Sequence, residues 1–581
     1  MHKLLLALAA TALACSAFAP LEVSVEHGVS VSMRDGVILR ADIYRPKQEG
    51  KYPVLLQRTP YNKAGGAEFG MQAAAAGYVA IIQDVRGRYT SEGEWYPFKW
   101  ESQDGFDTVE WAAALPYSNG KVGMFGGSYV GATQMLTAIA HPPHLAGICP
   151  VVTASNYHSN WTYQGGAFEQ WFNESWTSGL AQDTLNRKIG RATNAMEGAP
   201  ALPLSAYPLF NTAEKITATE NLAPYFLDWL AHPNYDDYWK RWSIEDHFAD
   251  IQVPALHVAA WYDIFQGGSV RNYQGLRAHA GNEAARQGQR LLVIIGGHAG
   301  GGRHIGDVDF GPAADFNEDA TTLQWYDFLF KGVQNGFAKK PVRIFVMGAN
   351  VWREEDEWPL KRAQTAKYFL VSTKGANSLR GDGLLTPRAS GSSRDSDQFI
   401  YDPANPVPTT GGPLCCDAGH LAAGPRDQRA VEARDDVLVY STPSLDHDVE
   451  VTGQVTLDFW VKSSAVDTDF TAKLVDVWPN GFAQNLTEGI VRAKYRSSQE
   501  KPELLNPDEP SKLTIDLWST SNVFKQGHKI RLEISSSNFP RFDRNLNTGE
   551  NAQFATRMVK AENTILHDSE HPAVLLLPLI P

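Results

Sequence analysis

Ser128 stands in the run Val-Gly-Met-Phe-Gly-Gly-Ser-Tyr-Val-Gly-Ala-Thr-Gln, residues 122–134. An apolar stretch ending at Phe125 meets two glycines, then the serine, then a helix-like segment. That layout predicts a nucleophile elbow, a sharp strand-to-helix turn that lifts a serine hydroxyl clear of a sheet. Glycines suit such a turn because the neighbouring backbone comes too close for a Cβ. The strict G-x-S-x-G pattern is broken, since Val130 holds the place of the last glycine and Gly131 follows one position later. A serine hydroxyl needs a base to take its proton and a carboxylate to orient the base. Asp263, just past the strand-like VPALHVAA, and His298, just past LLVIIGG, have the right types in the order serine, aspartate, histidine. His304 is the second candidate for the base. Glu318 and Asp319 open a predicted helix and read as charges favoured by its positive end. The Tyr129 amide begins the helix after Ser128 and is free to face a developing oxyanion. Tyr61, in Arg58-Thr59-Pro60-Tyr61 directly after a strand, offers a phenol as a second donor. The chemistry implied is acyl transfer: an ester or amide cleaved through an acyl-enzyme on Ser128.

These residues must be carried by a sheet. Residues 29–44 alternate apolar and polar around Arg34-Asp35-Gly36, a β-hairpin pattern. Strands are expected at 53–57, 78–83 and 122–125, with helices at 71–76 and 107–115 between them. The alternation resumes at 253–260 and 291–295. Strand runs that are nearly all apolar, alternating with helices, predict a mostly parallel α/β sheet over 20–154 and 247–349. Residues 155–246 are rich in Trp, Tyr and Phe and poor in strand signals. They read as a helical cap whose rings form mostly its own core, with a few walling a pocket for an apolar acyl group. From about 350 to 581 short alternating strands separated by turn residues predict an all-β sandwich, a jelly roll. VRIFVMG, at 342–348, is read as the first of these strands.

A chain of 581 residues exceeds one core. A net charge of −13 with no Lys/Arg cluster argues against a nucleic-acid partner. Residues 1–19 carry a lysine, an apolar run and then small residues, the pattern of a signal peptide for secretion or export to the periplasm. Ala17-Phe18-Ala19 fits the cleavage rule, although Pro20 follows it. Cleavage after Ala14 would leave Cys15 first, but a lipoprotein signal wants leucine where Ala12 stands. No other segment is long and apolar enough to span a bilayer. With four cysteines this is no disulfide scaffold, and the adjacent Cys415 and Cys416 are either bonded or two packed thiols. No metal-ligand spacing appears, and no cofactor is expected.

Longer motifs carry a resemblance. R-T-P-Y-N-K (58–63), Q-D-V-R-G-R-Y-T-S-E-G-E (83–94), G-G-S-Y-V-G (126–131), A-W-Y-D-I-F (260–265), G-G-H-A-G-G-G-R-H-I-G (296–306), D-T-D-F-T-A-K-L-V-D-V (467–477) and G-H-K-I-R-L-E-I-S-S-S-N-F-P-R (527–541) resemble one family. It is that of cocaine esterase, the X-Pro dipeptidyl-peptidases, the glutaryl cephalosporanic acid acylases and the α-amino acid ester hydrolases. The resemblance implies an α/β-hydrolase domain, a helical cap and a C-terminal jelly roll. It implies Ser128 as nucleophile, His298 as base, Asp263 as its orienter, and Tyr61 with the Tyr129 amide as oxyanion hole. It also implies Phe265 and Trp176 on the acyl pocket, and Trp171 of the cap is expected on the substrate pocket with them. The chain departs from the family in having Gly296-Gly297 where G-P-W-x usually precedes the histidine. Gly131 stands where the amino acid ester hydrolases have a carboxylate that holds a substrate ammonium. The expected activity is that of a secreted serine esterase or acylase acting on a small molecule. An X-Pro dipeptidyl-peptidase is the alternative, and a carbohydrate- or surface-binding protein with a vestigial site is the alternative of another class. Oligomeric state stays open.

Overall fold

The computed structural model describes residues 20–581 except 189, 191–220, 390–394 and 417. The expected signal peptide and Cys15 therefore lie outside the described residues. The first sheet begins with the antiparallel hairpin β1 (Val23–Ser32) and β2 (Ile38–Pro46). It continues with β3 (Tyr52–Thr59), β4 (Val79–Asp84), β5 (Ser118–Gly127), β6 (Leu145–Val151), β7 (Leu256–Tyr262), β8 (Arg290–Gly297), β9 (Val342–Val346) and β10 (Val351–Glu355). The spatial order is β1-β2-β4-β3-β5-β6-β7-β8-β9-β10. β3 to β9 pair parallel, so their carboxyl ends share one edge. β4 is buried along its whole length, as a strand covered by helices on both faces must be. Tyr61, Ser128, Asp263 and His298 all follow the carboxyl ends of strands in this sheet, the edge where open α/β sheets bind ligands.

Two expectations are corrected. VRIFV is not the first strand of the all-β unit. It is β9, parallel to β8, and β10 turns back beside it, so the first sheet runs to Glu355. A short apolar run reads the same in either setting, and only its pairing decides. The helix expected from residue 107 spans Glu101–Ala113. Its first turn is hidden from apolar periodicity because Glu101 and Asp104 are buried against Arg58 and Arg86.

The cap contains the helices Gln170–Lys188 and Pro224–Ala231, together with a small hairpin, Tyr163–Gln164 with Ala167–Phe168, that its composition did not announce. Its rings pack on one another and on the sheet. Phe98 stacks on Tyr157 at 3.9 Å, and Trp161 stacks on Phe265 at 4.4 Å.

The C-terminal unit is a mostly antiparallel all-β domain, in which Leu384 pairs parallel with Ser441 and Pro408 with Phe539. Its longest strand, Val449–Ser463, buries alternate residues from Val455 to Val461, the period-2 signature of a sheet with one face on the core. Asp469–Val477 and Ala483–Arg492 are buried along their whole length, and Ala483–Arg492 meets the neighbouring units, where Asn485 O accepts from Tyr262. There Arg492 pairs with Asp469 at 2.9 Å and Asp543 at 2.7 Å, while Asp543 accepts the Phe168 amide of the cap. Arg492→Met keeps the stem but leaves two buried carboxylates without their cation. Urea unfolding should show a loss of about 3–5 kcal/mol.

Candidate active site

The turn at Ser128 is built as its glycines require. Ser128 has φ 61° and ψ −126°, a conformation costly for a residue with a side chain. It is held by its own amide bonding to Val151 O at 2.9 Å and by Thr153 Oγ1 donating to its carbonyl at 2.9 Å. A Cβ on Gly126 would come within 2.5 Å of Val130, and one on Gly131 within 2.8 Å of Thr153. The displaced final glycine thus answers to Thr153, which packs against the first turn of the helix Tyr129–Ile139.

His298 occupies the tip of a tight hairpin in which Gly296 pairs with Gly301 and Gly297 with Gly300. A Cβ on Gly296 would lie 2.4 Å from Gly300 O, so the glycine run permits the turn. The imidazole spans the site. Nδ1 is 2.7 Å from Asp263 Oδ1 and Nε2 is 2.8 Å from Ser128 Oγ. Asp263 is fully buried, and its second oxygen has no hydrogen-bond partner among the described residues. His304 lies in a short exposed strand, and the bond to Ser128 is made by His298.

Tyr61 lies beside the serine. The Trp176 indole donates to its hydroxyl at 2.8 Å, and the Ser128 hydroxyl and Tyr129 amide lie close to the same oxygen. An indole N–H can only donate. It therefore occupies a lone pair of Tyr61 and leaves the phenol proton to point elsewhere. Burial raises the Tyr61 pKa above its ordinary value, which keeps the phenol neutral and able to donate.

A cavity of about 550 Å³ opens on Ser128, walled by Tyr61, Val152, Trp176, Leu180, His298 and Glu318, among others. Phe265 and Trp171 are not on its wall. Phe265 lies flat on Trp161 and presents its edge to the His298 ring at 5.1 Å, supporting the base instead. Trp171 and Trp176 are five positions apart, about 140° around a helix of 3.6 residues per turn, so they face different sides. The Trp171 amide bonds to Pro540 O of the β domain. Among the described residues no group of three or more His, Cys, Asp or Glu is placed to hold a metal ion.

Sequence reasoning assigned no role to several residues that build the site. Arg88, fully buried, donates to Pro60 O at 3.0 Å and to Leu180 O at 2.9 Å, and lies 3.5 Å from Asp183. It thereby ties the Tyr61 loop to the cap helix. Behind the elbow the Tyr129 hydroxyl donates to Glu101 at 2.9 Å, and Glu101 pairs with Arg58 at 2.7 Å. Their signal was present in RGRYTSEG and RTPYNK, but nothing local says what a buried arginine touches. Glu318, read as a helix-end charge, does begin the helix Glu318–Lys331 but also faces the cavity.

This is a serine hydrolase. The chain belongs to the X-Pro dipeptidyl-peptidase (S15) family: residues 35–300 match that family and residues 335–576 match its C-terminal non-catalytic domain. Cocaine esterase of Rhodococcus sp. (strain MB1 Bresler) is 37% identical over 96% of this chain and 99% of its own length. Among solved structures, an aminopeptidase from a marine sediment Thaumarchaeota archaeon superposes with a TM-score of 0.84 at 24% identity, covering 97% of each chain. An α-amino acid ester hydrolase superposes at 0.80 with 23% identity, covering 96% of this chain and 97% of that one. These last two show a shared fold with a large C-terminal all-β domain.

Burial pushes the Glu318 carboxyl up to about 7, with Asp319 adding to the rise and His298 opposing it. A carboxyl with a raised folded pKa favours the folded state below its unfolded pKa, near 4.5, and loses that advantage as pH climbs toward 7. Glu318→Gln removes the titration. Its stability relative to the parent should rise between about pH 4.5 and 7 and then level, by about 1–2 kcal/mol once discounted for water in the open cavity. Thermal melts of both proteins across pH 4–8 measure this, and a flat difference would show that Glu318 titrates normally.

Proposed function

We propose that the chain hydrolyses small-molecule esters through an acyl-enzyme on Ser128. The observation that carries this reading is the unbroken relay from Asp263 through His298 to Ser128, with the Tyr61 hydroxyl and Tyr129 amide beside the serine oxygen. His298 Nε2 takes the hydroxyl proton as Oγ attacks the carbonyl carbon. Asp263 holds Nδ1–H and stabilises the imidazolium. The carbonyl oxygen, now negative, turns into the space between Tyr61 and the Tyr129 amide. His298 then hands its proton to the departing alcohol, and water repeats the sequence to release the acid.

In this reading the first sheet is an α/β-hydrolase sheet and the C-terminal domain a jelly roll. Export is proposed with it, with cleavage near Ala19. The bonded Cys415–Cys416 pair suits an oxidising compartment. Sequencing the amino terminus of the mature protein tests the leader.

Ser128→Ala should fold normally, lose fluorophosphonate labelling and lose on the order of 10⁶ in kcat, and His298→Ala should lose about as much because the two act as a unit. Turnover by Ser128→Ala at a tenth of the parental rate on a panel of aryl esters would end the acyl-enzyme reading.

Tyr61→Phe removes one donor and keeps the ring. It should lower kcat by about 10²- to 10³-fold with KM little changed. Near-parental kcat on those esters would place the second donor elsewhere.

A further inference from the structure

A second cavity, about 490 Å³, opens on His298 but not on Ser128. It shares His298, Ala299, Gly300 and Cys416 with the first cavity, but Ser128, Tyr61 and Trp176 do not line it. One wall is the glycine hairpin that carries His298. The other is a loop of the β domain, closed at its base where Gly412 and Gly424 exchange backbone hydrogen bonds of 2.8 and 2.9 Å. That loop is pressed onto the hairpin region: a Cβ on Gly306 would sit 2.2 Å from Pro425 O, and the Asp307 amide donates to the same oxygen at 2.8 Å. The Cys415–Cys416 disulfide stands at the boundary, with Cys416 facing both cavities and Cys415 only the second.

We infer that the second cavity is the leaving-group subsite, built for the apolar alcohol part of an ester. The inference rests on the acyl-enzyme reading above. The acyl carbon becomes bonded to Ser128 Oγ, so the acyl group stays in the cavity that holds Ser128. The leaving oxygen receives its proton from His298 Nε2, so the alcohol departs from the acyl carbon on the imidazole side. The cavity that contains His298 without Ser128 is where that group goes. Its lining sets the chemistry. Ile305, Leu414, Ala418, Leu421, Ala422 and Ala423 supply an apolar surface with His304 beside them, and among the described residues no Asp, Glu, Lys or Arg lines it. An apolar alcohol would bury its surface against these side chains. The first cavity differs in holding Glu318. The vicinal disulfide is the partition that separates selection on the acyl side from selection on the alcohol side.

Leu421 and Ala422 are half-buried on the loop, so both tolerate substitution. Phenyl and 2-naphthyl butyrate compare alcohols of similar acidity and different size. Ala422→Trp should lower the ratio of kcat/KM for 2-naphthyl over phenyl butyrate at least tenfold. Leu421→Ala, which enlarges the space, should move that ratio the other way. The ratio between phenyl acetate and phenyl hexanoate, which differ only in acyl length, should stay within twofold of the parent in both variants. The deacylation rate, measured from the common butyryl-enzyme, should not depend on which ester formed it. A Trp variant that shifts the acyl ratio instead, or a pair of variants that moves neither ratio, overturns the assignment. Failure of the unmodified enzyme to label with a fluorophosphonate, a probe whose leaving group is fluoride, would overturn the acyl-enzyme reading itself and this subsite with it.

Discussion

The hydrogen bond between Asp263 and His298 is the constraint on which the site depends. Asp263 is fully buried and gives only one oxygen to a partner, so its charge is held in the protein at a cost of several kcal/mol that a single removal would expose. Such a group stays in place only if the backbone around it is fixed. The residues on either side of it show how. Tyr262 donates to Asn485 O at 2.9 Å, and Gln266 donates to Ser519 O at 3.0 Å, both in the β domain. The all-β unit is therefore a clamp on the loop that orients the base, although it supplies none of the relay residues.

The other side of the site is held with equal economy. Arg88 joins the loop after β3 to the cap helix, and Asp84 accepts the Lys63 amide at 2.7 Å on that same loop. Tyr61 is thus fixed from its backbone and from its hydroxyl, where Trp176 binds it. A donor that need not reorient during reaction is the condition under which electrostatic stabilisation is strongest. Three units meet here: the parallel sheet brings the nucleophile, the cap brings the tryptophan, and the β domain brings the loop that carries Cys415 and Cys416.

Much of this was legible in the residues. The elbow was readable because a serine after two glycines at the end of an apolar strand has few other uses. Asp263 and His298 were readable because a parallel sheet puts strand ends on one edge whatever lies between. The hairpin of β1 and β2 followed from its alternation. What failed did so for identifiable reasons. VRIFV has the same composition in a parallel strand as in a sandwich strand, and only its neighbour β8 decides. Trp171 was grouped with Trp176 by proximity in sequence, while helical geometry separates them. Glu101 and Arg88 were invisible as core residues because charge is read as exposure, and their partners are distant in the chain. Glu318 carried a sufficient local explanation as a helix-end charge, which concealed that the same position faces a cavity.

The cap is joined to the β domain through the main chain as well as through side chains. The Trp171 amide bonds to Pro540 O, the Arg492 amide to Gly165 O, the Tyr235 amide to Gln499 O, and Asn551 donates to Leu230 O. A flap that swings open over a substrate must be free along one margin, and the described part of the cap is stitched there. Along that margin the width of the entrance is set by side chains, so a change of substrate range there requires only the replacement of residues on a fixed backbone. The same stitching couples the three units in unfolding, since none of them can melt without stripping hydrogen bonds from the next.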